Sequence, residues 1–231
     1  MRNRKEEAEI EYYERKSAEY EDEWAVYNNT LYRMCSEMPN HDSLRNVIAK
    51  VGIISRAYSS GLERQVRDDN EEGGIYVAAK AFCENQNRID EMLSGLKQVA
   101  GKDDKYDENT IPTILSAHEE LLSVLVTVTG NRRPRSFASK YLHFHARGVP
   151  IFDSNVRTVL EDWYHQPEID RLGIALPEAR DEGYARYCLR FLLLWNQTAD
   201  EKVKYGKPAT FVSVRKLDYY LQCKYYDEYS T

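Results

Sequence analysis

Within RRPRSFASKYLHFHARGVPIFDSNVR (residues 132–157), Lys140 and Asp153 stand thirteen residues apart with no acid between them. A lysine that loses its water close to other cations gives up its proton more readily, and its free amine is then a nucleophile. Asp153 opens the turn FDSN, where an aspartate side chain accepts backbone N–H bonds at a helix start and stays ionised. Such a carboxylate can stabilise positive charge that develops on a substrate or activate a water.

Ahead of the lysine come Arg132, Arg133 and Arg135 in a Gly- and Pro-punctuated stretch, GNRRPR, between two helical patterns. The N–H groups that open the second helix form an anion site, and the arginines would hold a phosphate there. Ser136, Ala138 and Ser139 are small enough to let a backbone approach closely. No acid occurs from Leu121 through Phe152, although 38 acids in 231 residues would put about five in that window. Overall the chain is acidic, with net charge −6 and sequence pI about 5.5. The first 24 residues hold nine acids against five bases, a surface that would repel a polyanion. The expected balance is an acidic body with one basic segment.

The elements that must position these residues read as helices throughout. Residues 3–34 lack Gly and Pro and read as one or two helices, with Ile10, Tyr13, Tyr20, Trp24, Tyr27 and Leu31 as an apolar stripe. Asp42 is the expected cap of a helix over SLRNVIAKVGIISRAYSSGLERQV, and DDNEEGG (68–74) reads as a connector. One amphipathic helix is expected over 75–99, and an apolar, central one over TILSAHEELLSVLVTVT with Pro112 in its first turn. Residues 136–146 and 154–164 are expected to be helical, RLGIALPEARDEG a loop, and YARYCLRFLLLWNQ and VRKLDYYLQCKYY the last two helices. Alternating strand patterns are nearly absent, so the fold class is all-α: a multi-helix globular domain over 39–231 carrying a helix-hairpin-helix element, plus an N-terminal helical extension over 1–38. That extension is expected on the back of the domain or against a protein partner.

SFASK resembles the second half of a helix-hairpin-helix, usually G-V-G-x-K, with Ser136 and Ala138 in place of the glycines and Phe137 between them. PIFDSNV is similar to the P-V-D-T-H-V segment of the same proteins, the HhH-GPD DNA glycosylases, which include endonuclease III and 8-oxoguanine glycosylase. KVGIISRAYSSGLER lies where that family places the helix that begins its domain and helps line the base pocket. The resemblance covers residues 42–165 in the family's order. Asn155 replaces the family's histidine, and the lysine-to-aspartate interval is shorter.

The resemblance implies a DNA glycosylase, with strand-nicking lyase activity if the lysine is used, acting on a damaged or modified base flipped out of the helix. Asp153 and Lys140 would be catalytic. Arg132, Arg133, Arg135, Ser136, Ser139 and Asn155 would contact DNA, and Arg56 and Tyr58 would reach the base pocket. The setting would be DNA repair or defence against modified phage DNA. A non-catalytic DNA-binding relative and a helical protein-interaction module remain as alternatives.

Other groups carry no chemistry in this reading. His143 and His145 alternate and so face different sides of a helix, which does not suit one metal; no metal, cofactor or iron–sulfur cluster is expected. Cys35, Cys83, Cys188 and Cys223 are too scattered for a cluster and read as free thiols in a reducing cytoplasm. Neither a membrane span nor a secretion signal is expected. Lys216 and Asp218 read as part of a solvated helix face.

Overall fold

The computed structural model describes residues 4–66, 72–205 and 213–230, with side chains described at 11–66, 72–198 and 213–230. Among these residues the chain is all-helical. The helices are α1 (Arg4–Glu37), α2 (Leu44–Arg56), α3 (Gly74–Glu84), α4 (Gln86–Ala100), α5 (Thr110–Thr129), α6 (Arg135–His145), α7 (Ser154–Trp163), α8 (Gln166–Asp170), α9 (Glu182–Tyr205) and α10 (Val214–Glu228).

The apolar helix α5 lies at the centre, against α3, α4, α6 and α9. It is long and apolar enough by composition to cross a membrane, but here it is a core helix. Its Leu121, Leu122 and Leu125 are fully buried beside Phe82, Phe137 and Phe191. Gly130 and Asn131, both left-handed (φ 61° and 68°), turn the chain after Thr129. α6 then starts at Arg135 and packs back on α5, so the hairpin of helices lies where the sequence places it.

Local details depart from expectation. Ser43, not Asp42, occupies the cap position of α2, and no side chain caps there. The helix expected over 75–99 is two helices that break at Asn85, whose Nδ2 donates back to Ala81 O at 2.8 Å. The short α8 lies between the helix expected over 154–164 and the expected loop, in a stretch for which no element was expected. The connector at 68–74 falls largely outside the described residues, as does the side chain of Ile10.

The largest correction concerns α1. Tyr13 and Leu31 are buried as its stripe predicts, but Tyr27 is half exposed. The helix does not sit on the back of the domain. It packs on α10, α6 and α2, beside the segment that carries Lys140.

Candidate functional site

Lys140 lies on the second turn of α6, at 5% exposure. Its three ammonium N–H donors face Ser136 Oγ at 2.8 Å, Tyr58 O at 3.3 Å and Asp153 Oδ2 at 3.6 Å. Burial lowers its pKa, outweighing the pull of the Asp153 and Asp218 carboxylates. The neighbouring Arg215 pushes in the same direction as burial. The side chain is therefore held in a fixed place while the protein disfavours its charged form.

Asp153 caps α7: Oδ1 accepts from Asn155 N at 3.0 Å, leaving Oδ2 to face the lysine. The turn before it is clamped at several of its backbone groups. The Tyr184 and Tyr187 hydroxyls of α9 donate to Pro150 O (2.7 Å) and Ile151 O (2.5 Å), and Phe152 N donates to Ser139 Oγ (2.8 Å). His143 Nδ1 donates to Val149 O at 2.8 Å, which leaves Nε2 to accept from the Tyr32 hydroxyl at 2.6 Å. Gly148 N reaches Ala100 O at 2.8 Å, so close that a Cβ there would lie 2.7 Å from Lys102 O. These bonds fix the carboxylate relative to α6, because buried backbone groups must be paired somewhere.

Lys140 and Asp153 share a cavity of about 430 Å3, a size that suits a small ligand. One wall is aromatic. Tyr20 and Trp24 of α1 meet Tyr58, with the Trp24 and Tyr58 rings 5.4 Å apart. Ser59 and Ser60, after α2, also line the cavity. Ser59 has φ 48°, a left-handed conformation unfavourable for serine, in the turn that presents Tyr58 O to Lys140. Asn155, Arg215, Asp218, Gln222 and Tyr226 also line the cavity.

Behind the aromatic wall, Asn28 ties three elements together. Its Oδ1 accepts from the Tyr58 hydroxyl (2.5 Å) and from Arg215 Nη2 (3.2 Å), and its Nδ2 donates to the Tyr219 hydroxyl (2.7 Å). Arg215 Nη1 pairs with Asp218 Oδ2 at 2.8 Å. Asp218 is not on a solvated face, as its charge suggested, but is 3% exposed. Val214, Leu217 and Leu221 bury the same side of α10. Burial raises the Asp218 carboxyl to about 6; Arg215 opposes that rise and Asp153 adds to it.

The basic segment is less free than its composition implied. Asp181, 4% exposed, accepts from Arg135 Nε (2.5 Å), Arg133 Nε (3.0 Å) and Tyr184 N (2.9 Å), and Arg133 also pairs with Glu119. The window's own lack of acids concealed partners that lie outside it. Arg132 is exposed and meets no acid among the described residues. Ser139 is fully buried and serves the turn, so it is no surface contact. Arg56 points to solvent and pairs with Glu63 (2.7 Å), outside the cavity that Tyr58 lines. Ser136 and Asn155 both lie in the cavity lining.

The sequence reading missed Tyr20, Trp24, Asn28, Asp181, Arg215, Asp218 and Gln222. For Asp218 a signal existed: it falls within the 214, 217, 221 apolar spacing. Among the described residues no group of His, Cys, Asp and Glu is arranged to hold a metal ion.

Comparison of the chain with protein-family models, with curated proteins and with solved structures finds no match in any of the three.

Proposed function

We propose that the protein is a DNA glycosylase and lyase, a divergent relative of the helix-hairpin-helix glycosylases, with Lys140 as nucleophile and Asp153 as its carboxylate partner. The observation that carries this reading is the approach of Lys140 Nζ to within 3.6 Å of Asp153 Oδ2, inside a cavity with an aromatic wall. A base flipped out of DNA stacks on Trp24 and Tyr58, which replaces the stacking lost in the duplex. Asp153 faces the sugar and stabilises the oxocarbenium-like charge that grows at C1′ as the C1′–N bond lengthens.

Lys140 enters as the free amine, which its burial favours. Nζ bonds to C1′ while the C1′–N bond breaks, and that bond's electron pair and a proton leave with the base. The C1′–O4′ bond then opens as the nitrogen's electron pair forms the C=N bond, O4′ takes a proton from water, and a protonated imine, which keeps the last Nζ proton, joins the enzyme to the sugar. Loss of a proton from C2′ then expels the 3′ phosphate and nicks the strand. Arg132 and the first-turn N–H groups of α6 supply phosphate contacts, which position the strand without reading its sequence.

The pairing of Arg133 and Arg135 with Asp181 favours a second reading, in which the same cavity cleaves a free nucleoside or nucleotide. One experiment separates the two. Purified protein is offered DNA carrying a panel of damaged and modified bases and, in parallel, the corresponding nucleosides, with free-base release followed by chromatography. Release from DNA supports the first reading and release only from nucleosides the second. Asp153→Asn keeps the helix cap, since asparagine caps as well as aspartate. It is expected to slow release by roughly 100-fold or more. Inertness of the wild type toward every substrate contradicts both readings.

A further inference from the structure

Asp218 is one of three residues of the cavity lining, with Ser60 and Arg215, that keep a buried side-chain polar atom without a hydrogen-bond partner, and among them it is the carboxylate. Its Oδ2 is held by Arg215, but its Oδ1 is buried without a hydrogen-bond partner. Leaving a buried acceptor unpaired is unfavourable, and such groups are few in a folded protein. The Oδ1 atom is walled off from bulk water, and the residue lines the cavity that holds Lys140 and Asp153. Lys140 and Asp153 are held without it: the ammonium donates to Tyr58 O and Ser136 Oγ and pairs with Asp153, whose carboxylate has its cap.

We propose that Asp218 selects the occupant of the cavity, a planar heterocycle that presents an N–H to Oδ1 while its ring stacks on the aromatic wall. The arrangement assigns each part of such a ligand. Trp24 and Tyr58 pack on each other at 5.4 Å between centroids, tilted by 37°, and both line the cavity, giving it an aromatic surface on which a flat π-system can rest. Asp218 takes the donor edge, with its carboxylate held in orientation by Arg215 Nη1. Asn155 and Gln222, which face each other at 3.5 Å, flank that edge with amide groups able to donate or accept. A site built this way rejects an analogue that lacks the N–H, because the acceptor is then left unpaired against an apolar methyl. Under the base-excision reading the heterocycle is the flipped base, and the N–H lies on its pairing or exocyclic edge.

The inference rests on that reading only for the identity of the ligand, and its test does not use catalysis. The probes are free 9-methylpurines and 1-methylpyrimidines, whose methyl group replaces the sugar. Each is paired with an analogue in which the remaining N–H is also methylated. Binding to the full chain is followed by ligand-observed NMR. At least one N–H probe is expected to bind the wild type roughly tenfold or more tightly than its methylated partner. In Asp218→Asn the amide oxygen must serve Arg215 Nη1, so the amide NH2 turns to the ligand and this preference is expected to vanish. Should that variant fail to fold, the comparison of paired probes on the wild type alone decides. Equal affinity of the paired probes, or no binding by any probe, overturns the proposal. Discrimination between paired probes without base excision leaves it standing and rejects the glycosylase reading. Excision without discrimination does the reverse.

Discussion

Replacing Lys140 with methionine should make the protein more stable. The side chain is 7% exposed, and burial outweighs the attraction of Asp153 and Asp218, so the folded state disfavours its charge. Methionine fills a similar volume without a charge to desolvate. Exchanging a buried ion pair for apolar residues is often neutral or stabilising by about 1–4 kcal/mol. Here only one partner is removed, but Asp153 is 24% exposed and keeps its bond from Asn155 N, so its carboxylate can be hydrated from the cavity. Tyr58 O and Ser136 Oγ also lose a donor. The gain that remains is about 1–2 kcal/mol, or roughly 2–8 °C in melting temperature for a chain of this length. Thermal unfolding followed by circular dichroism at neutral pH reads this directly. The sign of the pH dependence follows from the lowered pKa. The penalty is complete below the folded-state pKa and disappears as pH rises to the unfolded value of roughly 10.4. The gap between variant and wild type should therefore narrow in alkali. A methionine variant that melts below the wild type, or a gap that widens with pH, would refute the reasoning that the site stores an unfavourable ammonium.

Two further outcomes follow from the same geometry. Ser139→Ala removes the acceptor for Phe152 N and should destabilise the chain by roughly 1–2 kcal/mol; urea unfolding measures this, and base release should fall further than in an equally destabilised variant far from the turn. Buried His41, His118 and His143 have pKa values lowered by burial to about 4, 3 and 3. Their contribution to stability is complete above the unfolded value of roughly 6.5 and is lost as pH falls below it. At pH 5 each unfolded histidine is favoured by roughly 2 kcal/mol, so the three together approach the stability of a typical domain. Cooperative acid unfolding near pH 5, followed by circular dichroism, is the expected result; a fold unchanged at pH 4 would contradict it.

What the sequence disclosed follows the reach of its signals. Helical periodicity and a glycine turn are local, so the α5–α6 hairpin and the capping role of Asp153 were legible in the sequence. The break at Asn85 was not, because neither proline nor glycine marks it. Lys140 and Asp153 were singled out, but their approach depends on Tyr184 and Tyr187 clamping the intervening turn from α9. The pairing of Arg133 and Arg135 with Asp181 spans 48 and 46 residues, and a local charge count does not register it. The acidity of α1 suggested a surface turned away from the site, yet its aromatic stripe continues into the cavity wall through Tyr20 and Trp24.

The most direct test of the account is borohydride trapping. Wild-type protein is mixed with DNA carrying modified bases or an abasic site, and a reductant is added to convert any enzyme–sugar imine to a stable amine. The account predicts a covalent protein–DNA adduct whose cross-linked peptide contains Lys140 and which Lys140→Met does not form. An adduct that persists in Lys140→Met, or none with any substrate, would contradict it.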